Sequence, residues 1–127
     1  MITVLLVDDQ ATVRLALRAR FALEPDIAIV GEAGDGVEAL RLAENLRPDV
    51  VLMDIEMPRL DGIRATAMLH ASLPGSAVVV LSLDDSVATR SRAAAAGAAA
   101  VIGKHQPPEP LLEAIRQAAA ERQTPAT

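Results

Sequence analysis

The chain has 127 residues, 51% of them hydrophobic, enough for one domain whose core needs neither disulfides nor a structural metal. It has no cysteine, which excludes a disulfide framework and thiolate metal sites and suits a cytoplasmic protein. A net charge of −5 and a single aromatic residue, Phe21, argue against direct nucleic-acid binding; the longest apolar run, Ala93 to Gly103 at 11 residues, is short of the roughly 20 that span a bilayer.

Hydrophobic periodicity predicts alternating strands and helices from the start. Strand Ile2 to Val7 leads into a helix from about Ala11 to Leu23, and strand Ile27 to Glu32 into a helix over Val37 to Leu46. Strand Val50 to Met53 precedes helix Gly62 to Ala71, strand Ala77 to Leu81 precedes helix Ser86 to Ala96, and strand Ala99 to Ile102 precedes helix Pro108 to Ala120. Pro25, Pro48, Pro74 and Gly97 punctuate the connections. Asp35 with Glu38 has capping-box spacing, Asp61 can cap the third helix, and Pro108 suits the first turn of the last. In that last helix Leu111, Leu112, Ile115, Ala118 and Ala119 form one apolar stripe. VVLM and AVVVL are continuously apolar, as strands covered by helices on both faces are. The expected fold is an α/β three-layer sandwich on a parallel sheet, one domain over residues 1–122, with Gln123 to Thr127 a frayed end or the start of a linker. The N-terminus opens on a strand pattern without a leader signature.

Each of four strands runs directly into a polar residue suited to phosphate chemistry: Asp8 and Asp9 after the first, Asp54 after the third, Ser82 after the fourth and Lys104 after the fifth. In a parallel sheet all of these strand ends open on one crevice. Two or three carboxylates so placed repel one another unless a hard divalent cation joins them, and Mg²⁺ is the first choice because it takes oxygen ligands from carboxylates and phosphate. Lys104 can neutralise remaining charge and Ser82 can donate a hydrogen bond to phosphoryl oxygens. Asp54, fixed between VVLM and the turn IEMPRLDG, is the natural nucleophile toward phosphorus.

In that order and spacing, LLVDD, DVVLMDIEMPRLDG, VVVLS and AGAAAVIGK resemble the receiver domain of bacterial two-component response regulators, over Ile2 to about Arg122. EPDIAIVGEAGDGVEAL and LRPDVVLMDIEMPRLDG are similar to the NarL/LuxR branch, whose members usually carry a C-terminal helix-turn-helix domain. The resemblance implies a flavodoxin-like (βα)5 fold with strand order 2-1-3-4-5. It implies that Asp54 is phosphorylated by a sensor histidine kinase, that Asp9, Asp54 and the Glu56 carbonyl hold Mg²⁺, and that Asp8 assists through water. Ser82 would move to bind the phosphoryl group and Lys104 would pair with it. A phosphorylation-linked homodimer, and DNA contact only through an output domain, are further implications, as is a regulatory phosphoacceptor rather than an enzyme.

The chain departs from the family pattern at Val101, where a switching aromatic ring is usual, and at His105, where proline is frequent after the lysine. Val101 therefore favours, as an alternative, an interaction module working without phosphorylation. An aspartyl-phosphate phosphatase would want a second aspartate where Glu56 stands, and a flavin binder would want a glycine-rich loop after the first strand. Arg14, Arg18 and Arg20 form either a kinase-docking surface or a solvated helix face; His70 and His105 read as surface residues.

Overall fold

A computed structural model describes residues 1–57 and 60–122. Ten elements alternate: β1 (Ile2–Val7), α1 (Ala11–Phe21), β2 (Ile27–Ala33), α2 (Gly36–Leu46), β3 (Val50–Asp54), α3 (Gly62–Ser72), β4 (Ala77–Ser82), α4 (Val87–Ala95), β5 (Ala100–Gly103) and α5 (Pro108–Glu121). The strands form one parallel sheet in the order β2-β1-β3-β4-β5, the flavodoxin-like arrangement that the family resemblance implies. The expected tail at residues 123–127 lies outside the described residues.

Side-chain alternation divides the core into two layers. Leu5, Val7, Val51, Met53, Val78, Val80 and Val101 face one cluster, which is closed by Ala39 and Ala43 of α2, Ala65 and Leu69 of α3, and Ala93 of α4. Val4, Leu6, Val50, Leu52, Val79 and Leu81 face the other, closed by Phe21 of α1 and by Leu111, Leu112, Ile115, Ala118 and Ala119 of α5. The stripe read from the α5 sequence is thus the face it buries. Full burial of a side chain such as Leu69 or Ile115 is worth roughly 1.5–3 kcal/mol, so these layers hold the sheet rigid beneath its loops.

Local chemistry sets the ends. The Asp35 carboxylate accepts the Glu38 N–H at 2.9 Å, and Asp61 accepts the Arg64 N–H at 3.0 Å, supplying acceptors to the first turns of α2 and α3. Pro108 occupies the first turn of α5. α1 stops at Phe21, two residues short of the expected Leu23, because Phe21 is buried and the chain tightens into three-residue turns, Leu23 N–H to Arg20 O and Glu24 N–H to Phe21 O. α3 starts hard against the end of β3: a Cβ on Gly62 would collide with the Asp54 carbonyl oxygen and Ile55 Cα, so only glycine lets the helix begin there.

Candidate functional site

Alternation also decides which strand-end residues meet. Asp54 follows Met53 and so belongs with Val50 and Leu52 on the α1/α5 side of the sheet; the same parity places Asp8 after Val7 and Lys104 two residues beyond Ile102. These three converge. One carboxylate oxygen from each of Asp8, Asp9 and Asp54 lies within 4.8 Å of the other two. Lys104 Nζ sits 3.0 Å from Asp54 Oδ1 and 3.3 Å from Asp8 Oδ2. Asp8 and Asp54 are buried, while Asp9 is exposed at the rim.

Each buried carboxylate has one oxygen that accepts a backbone hydrogen bond and one that accepts none. Asp8 Oδ1 accepts the Gln10 N–H at 2.9 Å, and Asp54 Oδ1 accepts the Glu56 N–H at 3.1 Å besides its contact with Lys104. Among the described residues Asp54 Oδ2 has no hydrogen-bond partner, and Asp8 Oδ2 has no hydrogen bond beyond its longer ion-pair contact with Lys104. Buried acceptors so poorly supplied are uncommon, and here two of them belong to groups clustered with a third carboxylate. An all-oxygen set with unused lone pairs fits a hard divalent cation.

The charge balance agrees. One ammonium is shared by two buried carboxylates, so the anions have too little compensation and the cation has an excess. Burial, together with the neighbouring Asp8 charge, raises Asp54 from 3.8 to about 6, against the lowering by Lys104 and the Glu56 N–H. For Lys104 burial works downward, yet the hydrogen bond and charge of Asp54, with the charge of Asp8, outweigh it and hold the ammonium above its usual 10.5.

Ser82 stands at the adjoining strand end but on the other side. Leu81 is registered with Asp54, so Ser82 points with Val78 and Val80 toward the α2/α3/α4 layer. Its hydroxyl bonds not to Asp54 but to Glu56 Oε2 at 2.9 Å and to the Asp84 carbonyl at 2.7 Å, and it accepts the Asp84 N–H at 3.0 Å. The Ser82 carbonyl accepts the Lys104 N–H at 2.8 Å, tying the hydroxyl-bearing and ammonium-bearing strand ends together. Val101 is 8% exposed and packs in the α2/α3/α4 layer, where its branched side chain offers no ring to reorient. Peptide bonds among the described residues are trans, including that from Lys104 to His105.

Sequence reading missed the side chains around Ser82. The Glu56 carboxylate accepts the Ser82 hydroxyl and the Leu83 N–H, the latter at 2.8 Å. Asp84 accepts the Ser86 N–H at 3.0 Å and the Thr89 hydroxyl at 2.8 Å, bonds that hold its carboxyl below the usual range. The spacing Ser82-x-Asp84-x-Ser86 was the available signal, since short polar residues two apart favour such turns. Arg14, one of the three α1 arginines, donates to the Asp8 carbonyl at 2.5 Å and pairs with Glu32 at 3.0 Å, and Arg18 joins Glu32 at 2.9 Å. Arg20 pairs with Glu24 at 2.8 Å. The α1 arginines thus fasten their own helix to its surroundings. His70 and His105 are exposed, as expected.

The chain matches the response regulator receiver domain model over residues 4–116. It is 40% identical over 118 residues to the transcriptional regulatory protein YxjL of Bacillus subtilis, covering 93% of this chain and 54% of that protein. It is 45% identical over 109 residues to a protein-glutamate methylesterase/protein-glutamine glutaminase of Anaeromyxobacter dehalogenans, covering 85% of this chain and 32% of that one. A LuxR-family two-component response regulator from Aurantimonas superposes with a TM-score of 0.91 at 32% identity, over 97% of this chain and 88% of that one. The chain therefore spans about half, or a third, of the length of these curated relatives. Carboxylates and an ammonium gathered at the open end of a 2-1-3-4-5 sheet, and this degree of relatedness, make the chain a member of the response regulator receiver domain family.

Proposed function

We propose that the domain receives a phosphoryl group on Asp54 from a phosphohistidine of a sensor kinase and uses it to alter the surface around the β4–α4 loop. The observation that carries this reading is Asp54 itself: a buried carboxylate with Oδ1 held by Lys104 and the Glu56 N–H, and with Oδ2 unpartnered among the described residues. An oxygen of that carboxylate would form the new bond to phosphorus as the nitrogen–phosphorus bond of the donor breaks, the donor imidazole keeping the bonding electrons. Asp8, Asp9, Asp54 and the Glu56 carbonyl would hold Mg²⁺, Asp8 through water, and the ion would offset the negative charge gathered there. Lys104, already between Asp8 and Asp54, would pair with the phosphoryl oxygens, and Ser82 would turn toward them.

The phosphoryl group turns a carboxylate with at most one negative charge into an acyl phosphate close to a dianion, with acceptor oxygens enough to draw Ser82 across and reorder its loop. Residues 1–122 would act as the receiver, with residues 123–127 leading toward an output domain. Resemblance to YxjL and the LuxR-family structure favours transcriptional output, with DNA bound only by an attached helix-turn-helix, a phosphorylation-linked homodimer and a cytoplasmic setting. The methylesterase relative supports a second reading, an enzymatic output controlled by the same receiver. No helix among the described residues is long and apolar enough to cross a membrane.

Incubation with acetyl phosphate and Mg²⁺ should add the mass of one phosphoryl group to the intact protein. Asp54→Asn should add none, and omission of Mg²⁺ should slow uptake at least about tenfold, the scale on which charge stabilisation governs phosphoryl transfer. An unmodified wild-type protein, or a modified Asp54→Asn, refutes the proposal.

A further inference from the structure

Ser82 and its neighbour Leu83 are held by a single side chain from another loop. The Glu56 carboxylate spans from the β3 end to the β4 end, taking the Ser82 hydroxyl at 2.9 Å on one oxygen and the Leu83 N–H at 2.8 Å on the other. The backbone of the same residue donates to Asp54 Oδ1 at 3.1 Å. One residue thus touches both the carboxylate of Asp54 and the hydroxyl at the next strand.

A hydroxyl has one proton to give. The Ser82 proton faces Glu56 and the Asp84 carbonyl, and its oxygen already accepts the Asp84 N–H. A phosphoryl oxygen on Asp54 could take that proton only if the hydroxyl turned away from both Glu56 and the Asp84 carbonyl, and of these two Glu56 is the side chain that can leave. The two states also differ in charge: a phosphorylated Asp54 brings a dianion close to the Glu56 carboxylate, while the unmodified site leaves that carboxylate stabilised by two donors. Beside the contact, a cleft lined by Ile55, Asp61, Ile63 and Arg92 leaves space into which the displaced side chain can turn.

We propose that Glu56 is a positioning residue that holds Ser82 and the Leu83 amide in the unphosphorylated arrangement, and that a phosphoryl group on Asp54 displaces it and frees the β4–α4 loop. This rests on the reading of Asp54 as phosphoacceptor. Because linkage is reciprocal, the factor by which the Glu56 contact weakens phosphoryl engagement equals the factor by which phosphoryl engagement weakens the contact. A charge-assisted hydrogen bond sets that factor at about tenfold to a hundredfold. In this chain the contact takes the place of a ring at position 101: Val101 stays packed, and the coupling runs through a carboxylate that can leave.

The test compares wild type, Glu56→Ala, Glu56→Gln, Ser82→Ala and the Glu56→Ala/Ser82→Ala pair, by NMR amide exchange at Leu83 and by titration with beryllofluoride, a phosphoryl mimic, in Mg²⁺. Without mimic, the Leu83 amide should exchange about tenfold faster in Glu56→Ala than in wild type. Glu56→Ala should bind beryllofluoride about tenfold or more tightly than wild type, and Glu56→Gln should lie between, its one amide oxygen keeping one of the two bonds. In the Ser82→Ala background the gain should vanish. Unchanged affinity in Glu56→Ala, while wild type binds the mimic, overturns the Glu56 proposal and leaves the phosphoacceptor reading standing. A gain that persists in the Ser82→Ala background also overturns it, since simple repulsion would then suffice. Failure of wild type to take either beryllofluoride or phosphoryl overturns both.

Discussion

Asp54→Asn is expected to stabilise the metal-free domain at pH 7.5, by on the order of 2–3 kcal/mol, although it alters a fully buried residue at the sheet end. The reason is that Asp54 ionises with difficulty in the folded protein. Its carboxyl titrates at about 6 when folded against 3.8 when free, a difference of about two units at 1.36 kcal/mol each. Below pH 3.8 both states are protonated and the group costs nothing. As pH rises toward 6 the unfolded chain releases the proton while the folded one keeps it, so the stability of the wild type falls through that window; above it the full penalty is present. Asparagine never ionises, and its NH₂ can donate to Asp8 Oδ2, which has only the 3.3 Å contact with Lys104. Urea unfolding at pH 4 and pH 7.5 checks this: the variant should gain at pH 7.5 and little at pH 4. Millimolar Mg²⁺ should close the gap by stabilising wild type alone. A destabilised Asp54→Asn at pH 7.5 would mean that Lys104 already compensates the site.

The two core layers were legible in the sequence because they repeat simple patterns. Continuous apolar strands, an α5 stripe and caps at Asp35 and Asp61 each carry a local signal, and all ten elements lie where periodicity places them, within a residue or two. Strand-end polarity also announced the meeting of Asp8, Asp9, Asp54 and Lys104, since topology alone brings parallel strand ends together. The position of the Ser82 hydroxyl was not legible in the same way. Strand parity turns it from the carboxylates toward the α3/α4 side, and its partner Glu56 comes from 26 residues away, a contact without any local sequence signature. Arg14 on Glu32, 18 residues away, is likewise a long side chain finding an acceptor on another element. Such contacts follow from the packed fold, not from periodicity.

Lys104 is the complement of Asp54, and its removal should have the opposite sign. Lys104→Met keeps much of the apolar stem but leaves Asp8 and Asp54 buried with no positive partner, and breaking a buried pair from one side typically costs about 3–5 kcal/mol. The loss should be largest at pH 7.5 and shrink toward pH 4, because below about 6 Asp54 can escape the problem by taking a proton. Mg²⁺ should restore stability more strongly in this variant than in wild type: Nζ no longer occupies Asp54 Oδ1 and Asp8 Oδ2, and one repelling charge is gone from the acidic cluster. Denaturant midpoints at the two pH values, with and without the ion, separate this from a packing defect, which would give the same loss in all four conditions. Combining Lys104→Met with Asp54→Asn sharpens the test. If the ammonium is there to balance two carboxylates, removing it should cost markedly less once one of them is neutral, so the two substitutions should be strongly non-additive. Additive costs would mean that Lys104 acts through its stem and that the anions of the crevice are compensated elsewhere.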